Sequence, residues 1–344
     1  MQTARGSFWP CGVVMTITRA LLLAATLVWA AAPALTAESD MAKTSAPYPP
    51  WQDGRNNDAV DRSLVFTVPE VDNLADLHGD LTDPKLILYV GGNYFFAMAS
   101  LVEAFEAEHP AYKCRLFWET IPLGLLAKQI KAAGRITVGN MTFTAKPDAY
   151  FAGYEKIKEM IADGSLDSPA VPYVTNTLTI MVPAGNPAGV KGLEDLARPG
   201  LRIAMPNPDF EGVARQIKSA LIKASGEALA DKVYSAKVAS GEALLTNIHH
   251  RQTPLWLMQG KVDAGVTWKS EALFQEQAGH PITHVEIPAA QNATGIYAGA
   301  VVKSAAHADG ARLWLAFIKS APAMTIFARC GFKPYQTARA ATPN

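Results

Sequence analysis

Hydrophobic positions from Lys85 onward recur with two spacings. Apolar runs of strand length, such as Leu86-Ile-Leu-Tyr-Val90 and Cys114-Arg-Leu-Phe-Trp118, alternate with stretches whose apolar residues fall three or four apart, as at Met98, Leu101, Val102 and Phe105. The first run ends in Gly91-Gly-Asn-Tyr-Phe95 and gives way to a helix over 97–108; the second ends in Glu119-Thr-Ile-Pro-Leu-Gly124 before a helix over 125–133. A third strand end at 147–151 precedes a helix over 154–162. The extended stretch 173–183 is too long for a small parallel strand and suits a crossing between lobes. A second set follows: a short helix at 192–196, a strand at 201–205, a helix over 212–224 and a strand at 262–268. A return crossing over 285–302 and two closing helices, 308–319 and 322–329, complete the pattern. Alternating strands and helices predict a parallel sheet covered on both faces, with ligands gathered outside the strand C-termini. The turns holding Asn93, Tyr94, Thr120 and Gly124 lie at that edge.

The segments before Lys85 follow neither spacing. Arg5 and Arg19 precede the apolar run Ala20–Ala32, which is followed by Pro33 and small residues through Ala37, the parts of a secretory leader. The run is shorter than the ~20 residues that span a bilayer. Residues 1–37 are thus expected to be removed near Ala34–Ala37, with Met1 or Met15 as the start, leaving a protein exported to the periplasm. Residues 38–83, with Tyr48-Pro-Pro-Trp51 and Val68-Pro-Glu-Val-Asp-Asn73, form an irregular arm.

Composition narrows the function classes. The 344 residues carry 31 basic and 31 acidic side chains, a formal charge of zero, and show no basic run, which argues against the concentrated positive footprint that nucleic-acid binding needs. Removal of the leader takes away two arginines and no acid, leaving a charge of about −2. Of three cysteines, Cys114 and Cys330 remain after cleavage, and in an oxidising compartment they either pair or stay separate.

The order Val182-Pro-Ala-Gly-Asn-Pro-Ala-Gly189, Gly192-Leu-Glu-Asp-Leu-Ala-Arg-Pro-Gly200, Asp263-Ala-Gly-Val266, Ile287-Pro-Ala-Ala290 and Gly331-Phe-Lys-Pro334 resembles the periplasmic molybdate-binding protein family, type II solute-binding proteins of ABC importers. The resemblance spans about 85–335 and omits the arm. It implies a two-lobed α/β fold, each lobe a mixed, mostly parallel sheet flanked by helices, with lobe I over 84–174 plus 290–338 and lobe II over 175–289. It also implies a monomer that hands its ligand to a membrane permease and needs no cofactor. In the family, hydroxyl-bearing residues of the first two turns and backbone N–H groups from both lobes encircle a dehydrated oxyanion. By position, Asn93 and Gly124 stand where serines are expected, Glu211 and His250 at the third and fourth contacts, and Trp268 where a tyrosine would sit.

These departures carry chemistry of their own. Thr253 is expected to cap a helix with Pro254 at its first position, which sets His249, His250 and Arg251 beside the helix start. Arg251 could fork onto an anion or tie down loop carbonyls. Tyr94, Phe95, Trp268 and Tyr297 fall in turns or crossings as candidate cleft walls, whereas Trp118, Trp256 and Trp314 fit core positions. An aromatic wall suits a small organic anion as well as an inorganic oxyanion. The alternative is a metal protein or metal-dependent enzyme using His249, His250 and Glu211 with Asp209, although no His-Glu-x-x-His spacing occurs. A serine hydrolase is disfavoured because Gly-x-Ser-x-Gly is absent.

Overall fold

A computed structural model describes residues 77–336 apart from 139–140, 168, 210 and 247–250. The described residues fall within one compact unit. The leader and most of the arm lie outside them.

The chain runs β1 (Leu77–Gly79), β2 (Leu86–Gly91), α1 (Phe95–Glu108), β3 (Leu116–Ile121), α2 (Leu123–Lys131), the hairpin β4 (Arg135–Val138) and β5 (Met141–Thr144), β6 (Ala149–Gly153), α3 (Tyr154–Ala162) and β7 (Val171–Pro183). It continues through β8 (Ile203–Met205), α4 (Gly212–Asp231), α5 (Lys237–Ala239), β9 (Ala243–Leu245), α6 (Gln252–Met258), β10 (Ala264–Trp268), α7 (Lys269–Gln277), β11 (Ile282–Glu286), β12 (Thr294–Val301), α8 (Ala308–Phe317), α9 (Ala321–Arg329) and β13 (Lys333–Pro334). The fully buried runs of β2, β8 and β10 are those of strands covered on both faces, which is why apolar residues and glycine fill all their positions except Thr267.

The ladder order β1-β3-β2-β6-β12-β7-β10-β8-β9 makes one continuous sheet from two halves. Strands β3, β2 and β6 are parallel neighbours in the first half, as are β10, β8 and β9 in the second; antiparallel pairing surrounds the crossing strands. β7 joins the halves. Its first residues pair with β12, from Val171 against Gly299 to Thr177 against Thr294, and its last with β10 and β11, from Leu178 against Trp268 to Pro183 against Ile282. This two-partner strand accounts for the length noted in the sequence.

Each half has apolar layers on both faces of its strands. Leu88, Val90, Leu101, Phe105, Trp314 and Phe327 cluster on one side of the first half, and Tyr89, Phe117, Ile121, Leu126 and Ile157 on the other. Ile180, Leu193, Ile203, Ile217, Leu221 and Val266 form the main core of the second half, with Met181, Leu255, Trp256 and Val262 opposite. Trp314 and Trp256 are core residues, as their patterns predict, and Trp118 is half-buried with His78 stacked on it.

Several local expectations change. The last residues of the arm form β1, which pairs antiparallel with β3. α2 begins at Leu123 because Pro122 directs the chain straight into the helix. α4 runs past Ala224 through a break at Ser225 and Gly226, whose φ of 77° is open to glycine. Thr253 does not cap α6: Arg251 occupies the cap position, Thr253 lies inside the helix, and its Oγ1 is buried with no hydrogen-bond partner among the described residues. Cys330 is a free thiol, so it does not bridge to Cys114; burial pushes its pKa up to about 11.

Candidate functional site

The register brings the candidate residues together. The C-terminal ends of β2 and β3 point towards the crossing residues of β7, because β12 runs antiparallel to β6 and Tyr297 pairs with Gly153 and Val174. From the other half, Trp268 at the end of β10 pairs with Leu178, and the parallel β8 and β9 end on the same side. The turns after β2 and β3 therefore face those after β8, β9 and β10 across a cleft whose floor is the crossing strands. Asn93, Thr120, Glu211, Arg251 and Trp268 occupy these turns or strand ends, Gly124 lies in the first turn of α2, and Tyr297 lies within the crossing strand β12. Tyr94 lies in the turn after β2, and its side chain is outside the described residues, as are His249 and His250.

Arg251 spans the cleft. It is 2% exposed, and its Nη2 donates to the Thr120 carbonyl of β3 at 3.3 Å. Its guanidinium carbon stands 4.5 Å from the centroid of the Phe95 ring at the start of α1. A guanidinium packed on an aromatic face gains from the ring quadrupole while its planar N–H edge keeps its directionality. The contact thus brings Arg251, at the start of α6, against the end of β3.

The floor is a buried polar network. Asn93 Nδ2 donates to the Tyr297 hydroxyl, linking the first turn to β12. Asn176 on β7 donates through Nδ2 to Ser270 Oγ of α7 at 2.8 Å, and it also hydrogen-bonds Tyr297. Thr267 Oγ1, on β10, donates to Glu271 Oε2 in the first turn of α7. Burial raises the Tyr297 pKa well above the usual phenol range, and the neighbouring Glu271 carboxylate pushes it the same way. Tyr297 is therefore a neutral donor and acceptor. The Trp268 ring packs edge-on against it at 5.9 Å between centroids and lies across Gly295, where a Cβ would sit 2.4 Å from the indole. A recess of about 260 Å³ borders this floor, lined by Thr175, Asn176, Thr177, Lys269, Phe332 and Lys333 among others.

Glu211 stands at the cap position of α4. It is buried and accepts from Thr246 Oγ1 and from the Asn207 backbone N–H at 3.4 Å, contacts that tie the turns after β8 and β9 together. Gly124, the second residue of α2, is exposed, and a Cβ added there meets nothing within 4 Å. Among the described residues no three His, Cys, Asp or Glu side chains are grouped to hold a metal.

The sequence reading missed Asn176, Thr267, Ser270 and Glu271. Asn176 carries a signal, a carboxamide within the otherwise β-branched and apolar run 173–182. Ser270 and Glu271 read as an ordinary first helical turn, and only the pairing of β7 with β10 shows that this turn abuts the crossing.

The comparisons agree with this architecture. The sequence profile of the bacterial extracellular solute-binding protein family matches residues 86–333. The molybdate-binding protein of Mycobacterium tuberculosis is 28% identical over 251 residues, 72% of this chain and 84% of that protein. The fold matches the sulfate-binding protein of Mycobacterium tuberculosis with a TM-score of 0.62 at 20% identity, covering 75% of this chain and 88% of that one. It matches the periplasmic molybdate-binding protein of Azotobacter vinelandii with a TM-score of 0.58 at 17% identity, covering 73% and 100%. By its sequence profile and its paired sheets about a crossing strand, the chain belongs to the bacterial extracellular solute-binding protein family.

Proposed function

We propose that the chain is the periplasmic binding protein of an ABC importer, a monomer that captures a small anion between its lobes and performs no chemistry itself. The observation that carries the reading is the facing of both sheets' C-terminal edges, with Arg251 reaching from one to the other. Molybdate- and sulfate-binding relatives support an oxyanion as the ligand group. Asn93, Thr120, Gly124, Arg251, Trp268 and Tyr297 would surround it, with Tyr94, Glu211 and His250 as further contacts. The lobes would divide at 174/175 and 289/290, and the leader would leave near Ala34–Ala37.

In this mechanism the two lobes move about the crossings at 173–177 and 290–297. A ligand touching both stabilises the closed population by its differential affinity for that state, and the closed form is what a permease reads. Tight binding to the native state must raise its stability, by about 4 kcal/mol at a thousandfold excess over Kd. A thermal-shift screen with molybdate, tungstate, sulfate, phosphate and small carboxylates tests this. A rise in Tm with at least one of these anions is expected, and Arg251→Ala should reduce it. No shift with any of them would sink the proposal.

A further inference from the structure

Helix α7 follows β10 in the second half of the sheet, and its sequence holds two large apolar residues, Leu273 and Phe274. A surface helix ordinarily turns such residues into the core of its own half. From α7 that core receives Ala272 instead, which clusters with Met181, Leu255 and Ile282. Lys269 and Glu276 tie the helix to β11. Lys269 pairs with Glu286, and Glu276 lies 2.7 Å from His284 Nδ1 and accepts from Thr283 Oγ1 at 3.1 Å.

A second stripe, Ser270, Leu273, Phe274 and Gln277, is spaced i, i+3, i+4 and i+7 and meets the crossing and the first half. Ser270 Oγ accepts from Asn176 of β7 at 2.8 Å. Leu273 packs so closely on the turn between α9 and β13 that a Cβ on Gly331 would sit 2.5 Å from its Cδ1. The Phe274 ring stacks on Phe96 at 5.0 Å between centroids, 13° from parallel, and meets the Phe95 ring edge-on at 5.1 Å. Gln277 Nε2 donates to the Arg329 carbonyl at the end of α9 at 3.2 Å. The two phenylalanines open α1, whose buried face lies in the core of the first half with α9.

All of these contacts are supplied by the chain itself. Stacked and edge-on rings attract beyond the area they bury. Arg251, whose guanidinium carbon is 4.5 Å from the Phe95 centroid, brings a second element of the second half onto the same ring pair. Because its other stripe fastens α7 to β11, parting of the halves about the crossing must separate Phe274 from Phe95 and Phe96.

We infer that α7 is a clasp: its stripe from Ser270 to Gln277 holds the two halves closed through the chain's own side chains, and a ligand enters only when Phe274 leaves the Phe95–Phe96 pair. The clasp takes its purpose from the hinged capture of an anion proposed above, but its test needs no anion. Single-molecule energy transfer is measured on the full mature chain with no oxyanion added. The dyes are carried by Glu103→Cys on α1 and Lys218→Cys on α4, both exposed positions, with Cys114→Ser and Cys330→Ser as background. The parent is expected to spend most of its time closed. Phe274→Ala should raise the open fraction about tenfold, with unchanged far-ultraviolet circular dichroism. Phe96→Leu, which keeps an apolar side chain on α1 and loses the flat ring, should do the same from the other side, and it decides the matter if Phe274→Ala fails to fold. Glu276→Gln, on the stripe that faces β11, should behave as the parent. A parent as open as Phe274→Ala overturns the clasp, as do ring variants as closed as the parent, or an equal opening in Glu276→Gln, which would mean general loosening of the helix. Each of those results leaves the anion-binding reading standing, whereas a thermal-shift screen in which no anion binds would sink that reading without altering the energy-transfer populations.

Discussion

Glu119 shows how a single side chain can be positioned by strand alternation against its own chemistry. On β3, Phe117, Glu119 and Ile121 share the face that packs on Leu126 and Ala127 of α2. The carboxyl is fully buried, and burial pushes its pKa up to about 7 although Gln129 Nε2 donates to its Oε1 at 3.0 Å. Its Oε2 and the Gln129 Oε1 have no partner among the described residues, so a proton on the carboxyl supplies a donor that this pair of acceptors lacks. An unfolded glutamate gives up its proton first, near pH 4.5. Native stability is therefore full below that pH, falls as pH rises towards 7, and is level above it. Glu119→Gln should match the parent at pH 4 and exceed it at pH 8 by up to about 3 kcal/mol. Urea unfolding at the two pH values measures the difference, and an equal effect at both would show that the carboxyl stays ionised in the native protein.

At the scale of elements, the backbone breaks matter as much as the apolar spacing. Gly226, at φ 77° and ψ 179°, lies in a region almost closed to other residues, and no neighbour stands within 4 Å of its missing Cβ. Gly226→Ala should cost about 1–2 kcal/mol through backbone strain alone, with no clash. Gly295 is the opposite case: its φ is ordinary, but the Trp268 ring fills the side-chain space. Gly295→Ala should cost about 1–3 kcal/mol by displacing that ring, and should also weaken ligand binding, which Gly226→Ala should not. Denaturant midpoints and calorimetric titration of the two variants separate these effects. The strands and most helices were legible because burial on both faces writes apolar runs and three-to-four spacing into the sequence. The continuation of α4 was not, because Ser225-Gly226 reads as a stop and only packing of Leu229, Ala230 and Val233 on the second core carries the helix past it. In the site, Asn93, Arg251 and Tyr297 were legible as polar or aromatic residues in turns and crossings. The Asn176–Ser270 link was not, since it joins residues brought together only by the pairing of β7 with β10.

The whole molecule sets how an anion reaches the cleft. Equal numbers of basic and acidic side chains leave no long-range positive field, and the cation placed at the cleft, Arg251, is almost wholly buried. Steered association depends on surface potential and falls steeply with salt; capture by a buried cation after encounter does not. The association rate of an anion should therefore change by less than about threefold between about 10 and 300 mM salt. On the proposed role of Arg251, the same variation should leave affinity nearly constant, because salt screens a buried cation poorly. Stopped-flow Trp fluorescence can follow the event if Trp268, which packs on Tyr297 at the floor, reports closure. A rate that falls tenfold or more over that range would mean that a basic surface patch guides the ligand in, and that the neutral overall charge hides a local asymmetry around the cleft mouth.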